Sequence, residues 1–207
     1  MKKSLTALAF LFASIVSAQT PYVLPHHDVL GGSKAAETTS NESKTISCLS
    51  LDKIMNGYDS LKLSAMSMEC VKQKDYQKAS RLWLLAGLYY TYDTGRLKEK
   101  RGTNLVKLTM VSMLSRITEQ DKIKMVTAMR SIRNNPAQLK EICDQVDVVG
   151  KPTYVPYYMM MTQTSSLEHN LSDIYDPSFD LQKGWGLVKK QVLSCDMPNQ
   201  NYFTRFR

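Results

Sequence analysis

The sequence predicts an all-α fold, an array or irregular bundle of α-hairpins, and three observations predict it. From Cys48 onward the apolar residues recur at spacings of three and four, the period of an amphipathic helix, with no clean alternation of the kind that marks a strand. Capping residues stand just before several of these runs, at Asp59 or Ser60, Thr103, Thr118 and Asn135. Nine Gly and seven Pro in 207 residues are too few for a fibrous or loop-dominated chain, and 43% hydrophobic with 22% charged residues describes a conventional core rather than a disordered protein.

The elements follow in order. Leu49 to Asn56 reads as a short helix that Gly57 interrupts. A second helix, capped by Asp59 or Ser60, carries Leu61, Leu63, Met66 and Cys70. The third, about Asp75 to Tyr92, sets Tyr76, Ala79, Leu82, Trp83, Ala86, Tyr89 and Tyr90 on one side, and Gly95 is expected to end it. Thr103 caps a helix from Asn104 to Ile117. Leu105, Leu108, Val111 and Leu114 widen its Val106, Met110, Met113 and Ile117 face so far that a central, all-round buried position is expected. Thr118 caps Glu119 to Arg133 with the stripe Ile123, Val126, Met129 and Ile132, and Asn135-Pro136 opens Ala137 to Val146. From Gly150 to Pro177 the pattern is irregular, with one short helix expected near Tyr154, Tyr157, Tyr158 and Met159 to Met161. The last helix starts after Pro177-Ser178 and points Leu181, Trp185, Val188, Val192 and Cys195 at the core.

The N-terminus is expected to be a signal peptide. Lys2 and Lys3 precede the apolar run Leu5 to Val16, and Ser17-Ala18 suit signal-peptidase cleavage after Ala18. The run is shorter than the ~20 residues a spanning helix needs. Residues 19 to 47 lack apolar periodicity and read as a flexible leader, leaving 48 to 207 as a single helical domain in a bacterial periplasm or secreted. In an oxidising compartment, Cys48, Cys70, Cys143 and Cys195 favour two disulfides over a metal site. Three connectivities are open. Cys143 lies on the apolar face of Leu139, Ile142 and Val146, and Cys195 on that of the last helix, which favours Cys143–Cys195. Cys48–Cys70 then requires Asn56-Gly57 to turn the chain back, because a straight helix would hold the two roughly 33 Å apart where bridged Cα atoms lie about 4.4–6.8 Å apart.

The segment Lys74-Asp75-Tyr76-Gln77-Lys78-Ala79, followed by Leu82-Trp83 and Ala86, resembles the second helix of a tetratricopeptide or Sel1-like repeat. Leu63, Met66 and Ser67 match the helix before it, whereas Cys70 replaces an expected aromatic. The resemblance covers one hairpin, about residues 60 to 92, without a second copy. It implies a scaffold for binding proteins or peptides, and it brings no catalytic residues with it.

Catalytic chemistry has little to rest on. Glu168-His169-Asn170 stands near Ser165 and Ser166, but no G-x-S-x-G turn accompanies them, and Asp173, Asp176 and Asp180 lie where Asp commonly caps and turns. Twelve Met, with Met159, Met160 and Met161 in a row, and His26-His27 raise copper binding, since thioether and imidazole suit that metal. Most of these methionines fall on core stripes, where Met fills irregular gaps. No cofactor or resident metal is therefore expected.

Charge supplies the remaining clue. Residues 96 to 133 carry ten basic and three acidic groups, whereas 134 to 182 carry two and seven. Arg96, Lys98, Lys100 and Arg101 form the densest basic cluster, suited to steering a partner protein with an acidic surface. Tyr154, Tyr157 and Tyr158 are expected to be exposed and to add contacts. Nucleic acid is the weaker reading, because the aromatics do not interleave with the basic residues. Contact with an anionic membrane surface stays open. The expected function is a periplasmic protein-protein interaction module, an immunity protein neutralising an antibacterial effector or an envelope adaptor or assembly factor. A hydrolase and a copper-binding protein are the lesser alternatives.

Overall fold

The computed structural model describes residues 46–100, 102–160 and 174–195, and every structural statement below concerns these residues. Six α-helices follow one another: α1 (Ser60–Lys72), α2 (Tyr76–Arg96), α3 (Thr103–Ser115), α4 (Glu119–Asn134), α5 (Pro136–Val149) and α6 (Leu181–Leu193). Single 3-10 turns stand at Leu51–Lys53 and Tyr157–Met159, and the only strand-like feature among the described residues is an isolated bridge between Leu97 and Tyr175. The fold is all-α. No helix among these residues is long and apolar enough to cross a membrane.

Side-chain caps place most of the helix starts. Asp59 accepts from Lys62 N at 2.8 Å, Asp75 from Lys78 N at 3.0 Å and Thr118 from Asp121 N at 3.1 Å. Asn135 caps α5 with Pro136 in its first turn, and Asp180 caps α6. Each side chain satisfies an amide that the helix leaves without an internal partner, for about 1 kcal/mol. Thr103 does not cap α3; it is the first helical residue, after Gly102, and its hydroxyl bonds Lys100 O instead.

α1 and α2 form the central hairpin, turning through Gln73–Asp75 with Lys74 in the left-handed region at φ 62°. Small residues let the backbones approach. Ser67 Oγ donates to Ala79 O at 2.7 Å across the hairpin, and Ser80 Oγ donates to Met125 O at 3.0 Å in α4. α2 is the hub, packed against α1, α4 and α6, and its Leu82, Leu85, Ala86, Leu88 and Tyr89 are fully buried. An aromatic layer joins it to α6: Trp185 lies edge-on to Tyr89 at 5.9 Å and to Tyr92 at 5.5 Å, and Phe179 to Tyr92 at 5.6 Å. The paired carboxylate oxygens of Glu141 on α5 hold Arg81 of α2 at 2.7 and 2.8 Å.

Two disulfides close the structure, Cys48–Cys70 with Cα atoms 4.7 Å apart and Cys143–Cys195 at 5.8 Å. The chain does turn back at Asn56-Gly57, so Leu51 and Ile54 pack into the core beside the first bridge. The second ties the end of α6 to the middle of α5.

Several expected details differ. The helix foreseen over Leu49 to Asn56 contracts to the turn Leu51–Lys53. Gly95 does not end α2, which runs on to Arg96; instead its missing side chain makes room for Phe179, whose ring would lie 2.8 Å from a Cβ there. α3 is peripheral rather than central. It packs on α1 and on the Tyr157–Met159 turn, where Gly102 lies so close to Met159 O that a Cβ would overlap it. In α4 the buried stripe is Asp121, Met125, Ala128 and Ile132, which turns Ile123 outward at 59% exposure. Leu181 in α6 is also exposed.

Candidate functional site

The expected contact residues divide into an interior group and an exterior group. Arg96 is only 5% exposed and Asp93, one helical turn earlier on α2, is fully buried. The guanidinium donates to Asp93 Oδ1 through Nε at 2.9 Å and stands 2.7 Å from it through Nη2, which also donates to Tyr154 O at 2.8 Å. Both phenols of the irregular segment reach the other carboxylate oxygen: Tyr154 OH and Tyr158 OH donate to Asp93 Oδ2, each at 2.7 Å. Tyr158 OH further pairs with Ser60 Oγ at 3.0 Å. The guanidinium carbon lies 5.2–5.6 Å from the ring centres of Tyr92, Tyr154 and Tyr175.

Arg96 is thus buried, and Tyr154 and Tyr158 are half-buried rather than exposed as expected. Their polar atoms converge on one buried carboxylate, and Arg96 gains its cation–π partners from being enclosed by rings. Burial pushes the Asp93 carboxyl above its ordinary range, opposed by the Arg96 charge and by hydrogen bonds from Tyr158, Tyr154 and Arg96. Burial also raises both phenols, further helped by the Asp93 charge, so they remain proton donors. Oδ2 accepts from both phenols, Oδ1 accepts from Arg96 Nε beside the Nη2 ion pair, and the side chain is wholly buried. The cluster joins α1, α2, the Tyr154–Tyr158 segment and Tyr175, which makes it a structural joint. The sequence carried a signal for it: Asp93 and Arg96 are three apart and continue the apolar face of Leu82, Ala86 and Tyr89.

Lys98, Lys100 and Tyr157 are exposed. They share one neighbourhood, for Lys98 N bonds Ile174 O at 3.0 Å, Tyr175 bridges Leu97 and feels Tyr157, and Asp176 feels both lysines. Hydrogen bonds from Ser178 hold the Asp176 carboxyl low, with smaller help from Lys100 and Lys98. From Lys100 to Thr118 the sequence contains Arg101, Lys107 and Arg116 and no carboxylate. Arg101 itself lies outside the described residues, as do His26, His27, Met161, the Ser165 to His169 group, the signal peptide and its Ala18 cleavage site, and the leader up to residue 45. Met66, Met68, Met110 and Met159 are core residues. No group of three or more His, Cys, Asp or Glu suited to a metal ion occurs among the described residues.

A second polar cluster fixes the start of α4. Asp121 accepts from Lys74 Nζ at 2.9 and 3.1 Å, Tyr76 OH at 2.7 Å and Thr118 Oγ1 at 2.8 Å. Those bonds, from Lys74 first, hold its carboxyl well below the usual range. A depressed folded-state value contributes stability that is present above the unfolded value near ~3.9 and is lost as pH falls below it. Asp93 acts with the opposite sign, favouring the fold at low pH and losing that contribution as pH rises through its raised value. Thermal melting against pH should therefore show a shallower acid limb for Asp121→Asn than for the parent, and superimposable limbs would remove Asp121 as its source.

Comparison with protein-family models, curated proteins and solved structures finds no match to this chain.

Proposed function

We propose that this is an exported, non-catalytic binding protein whose α-hairpin scaffold presents Lys98, Lys100 and Tyr157 to a partner protein with an acidic surface. The observation that carries the reading is the exposure of these three side chains in one neighbourhood, where Glu99 and Asp176 are the acidic groups beside the lysines, while Asp93 and Arg96 are consumed inside the fold. Two disulfides with Cα separations of 4.7 and 5.8 Å agree with an oxidising compartment such as the periplasm or the exterior. The burial of Ala79 and Ala86 in the α1–α2 hairpin is compatible with the resemblance to a tetratricopeptide or Sel1-like pair. Within this reading the protein is an immunity protein that neutralises an antibacterial effector. An envelope adaptor is the variant in which the partner is a resident assembly component. Basic side chains around an exposed aromatic match the charged rim and aromatic anchor of protein interfaces.

The test is site-specific photo-crosslinking in the producing cell, with the photoreactive residue at position 157 and, as a control, at Val148, an 85% exposed position on α5. A discrete protein adduct is expected at 157 only, and Lys98→Glu with Lys100→Glu should abolish it. An adduct indifferent to the charge reversal, or equally strong at Val148, defeats the proposal.

A further inference from the structure

We infer that the outer face of α3 is a docking surface for an anionic lipid bilayer, a role separate from the protein contact proposed above. Leu105, Leu108 and Val111 are 50%, 59% and 44% exposed. At 100° per residue they fall within an arc of about 120°, and the residues sharing that arc are Asn104, Ser112 and Ser115. The outward face of α3 thus carries no charge at all. Ordinary solvent-facing helices place their charged residues there.

The charges sit at the edges of the arc. Lys107, the one charged residue of α3, flanks the Val111 side, and Arg116, which ends the helix, flanks the Leu105 side; both are exposed. An uncharged apolar face bordered by basic side chains is the arrangement by which a helix lies along a membrane, its apolar residues at the acyl boundary and its cations among the headgroup phosphates. The acid-free run from Lys100 to Thr118 extends the match to an anionic surface.

Three properties favour a bilayer over a folded partner. Three half-exposed side chains fall well short of the ~800 Å² that each protein commits to a stable interface. The face lies along one side of a single helix, and among the described residues α3 packs chiefly on α1 and the Tyr157–Met159 turn on its other side. A second copy of the chain would bring Lys107 and Arg116 against their own counterparts, with no carboxylate on α3 to offset them and the nearest in sequence, Glu119, already paired with Lys122.

The experiment is co-sedimentation of the protein, as recovered from its host, with vesicles of phosphatidylglycerol and phosphatidylcholine and with vesicles of phosphatidylcholine alone. Every variant carries the same N-terminal segment ahead of residue 46, so any contribution from that segment cancels between them. The parent should partition about tenfold or more in favour of the anionic vesicles, less so at high salt. Leu105→Ser with Leu108→Ser, and separately Lys107→Glu with Arg116→Glu, should each reduce that partitioning about tenfold, while melting curves confirm that the exposed substitutions leave the fold intact. Lys140→Glu with Lys190→Glu, the same charge change on α5 and α6, should leave it unchanged. Equal partitioning to both vesicle types, or equal loss with the α5 and α6 variant, overturns the inference. So does a dimer that Leu108→Ser dissociates, or a protein adduct at position 157 that the leucine variant abolishes while vesicle binding persists. The vesicle assay leaves Lys98, Lys100 and Tyr157 unaltered, so its failure is distinct from failure of the protein-contact proposal.

Discussion

Asp93→Ala should lower the stability of the protein by about 3–5 kcal/mol, among the largest losses any single polar substitution here can produce. The carboxylate is fully buried, accepts three hydrogen bonds, from Arg96 Nε, Tyr154 and Tyr158, and is ion-paired with Arg96 Nη2. Its removal strands a guanidinium that is 5% exposed, leaves two phenols with fewer partners and opens a cavity among them. The complementary double variant sharpens the point. Asp93→Leu combined with Arg96→Met removes both charges together, so its loss should be markedly smaller than the sum of the single losses. Urea denaturation followed by far-UV circular dichroism measures all of these. A loss below about 1 kcal/mol for Asp93→Ala would mean that the cluster does not organise the fold.

Removing the Cys143–Cys195 bridge should be similarly costly. The crosslink closes a separation of 52 residues, for which the loop-entropy argument gives about 4 kcal/mol, against about 3 kcal/mol for Cys48–Cys70 with its separation of 22. The longer bridge also holds α6 in place. α6 supplies Trp185, which packs edge-on against both Tyr89 and Tyr92. Cys143→Ala with Cys195→Ala should therefore lower the denaturation midpoint more than Cys48→Ala with Cys70→Ala, and should dequench or shift the tryptophan emission as the aromatic layer loosens. The reverse order of midpoints would show that the N-terminal bridge carries the larger constraint.

The caps at Asp59, Thr118 and Asn135 were legible because they are local, each bonding an amide two or three residues on. The favoured Cys143–Cys195 pairing was legible for a related reason, since both thiols fall on apolar stripes. Facing was harder to read wherever the helix has no single apolar stripe. α3 is apolar almost all round, so periodicity alone does not say that Val106 and Met110 pack inward while Leu108 stays out. In α4 the apolar stripe through Ile123 competes with one through Asp121, and the second is buried because Lys74 and Tyr76, 45 or more residues away in sequence, hold its carboxylate. Such a bond leaves no trace in local spacing. The basic cluster misled for the same reason. Arg96 belongs by sequence with Lys98, Lys100 and Arg101, yet by position on α2 it belongs with Asp93, and only the returning segment from Tyr154 to Tyr158 decides between the two.

The account separates an interior that builds the fold from an exterior that meets a partner, and one comparison tests that separation directly. Partner recovery by affinity purification is measured for the parent, for Tyr158→Phe, which removes a hydroxyl bonded to Asp93 and Ser60, and for Lys98→Glu with Lys100→Glu. Tyr158→Phe is predicted to melt at a lower temperature and still retain the partner at the parental level, while the exterior variant melts normally and retains none. Partner loss in Tyr158→Phe below its melting transition, with full retention by the lysine variant, would contradict the account.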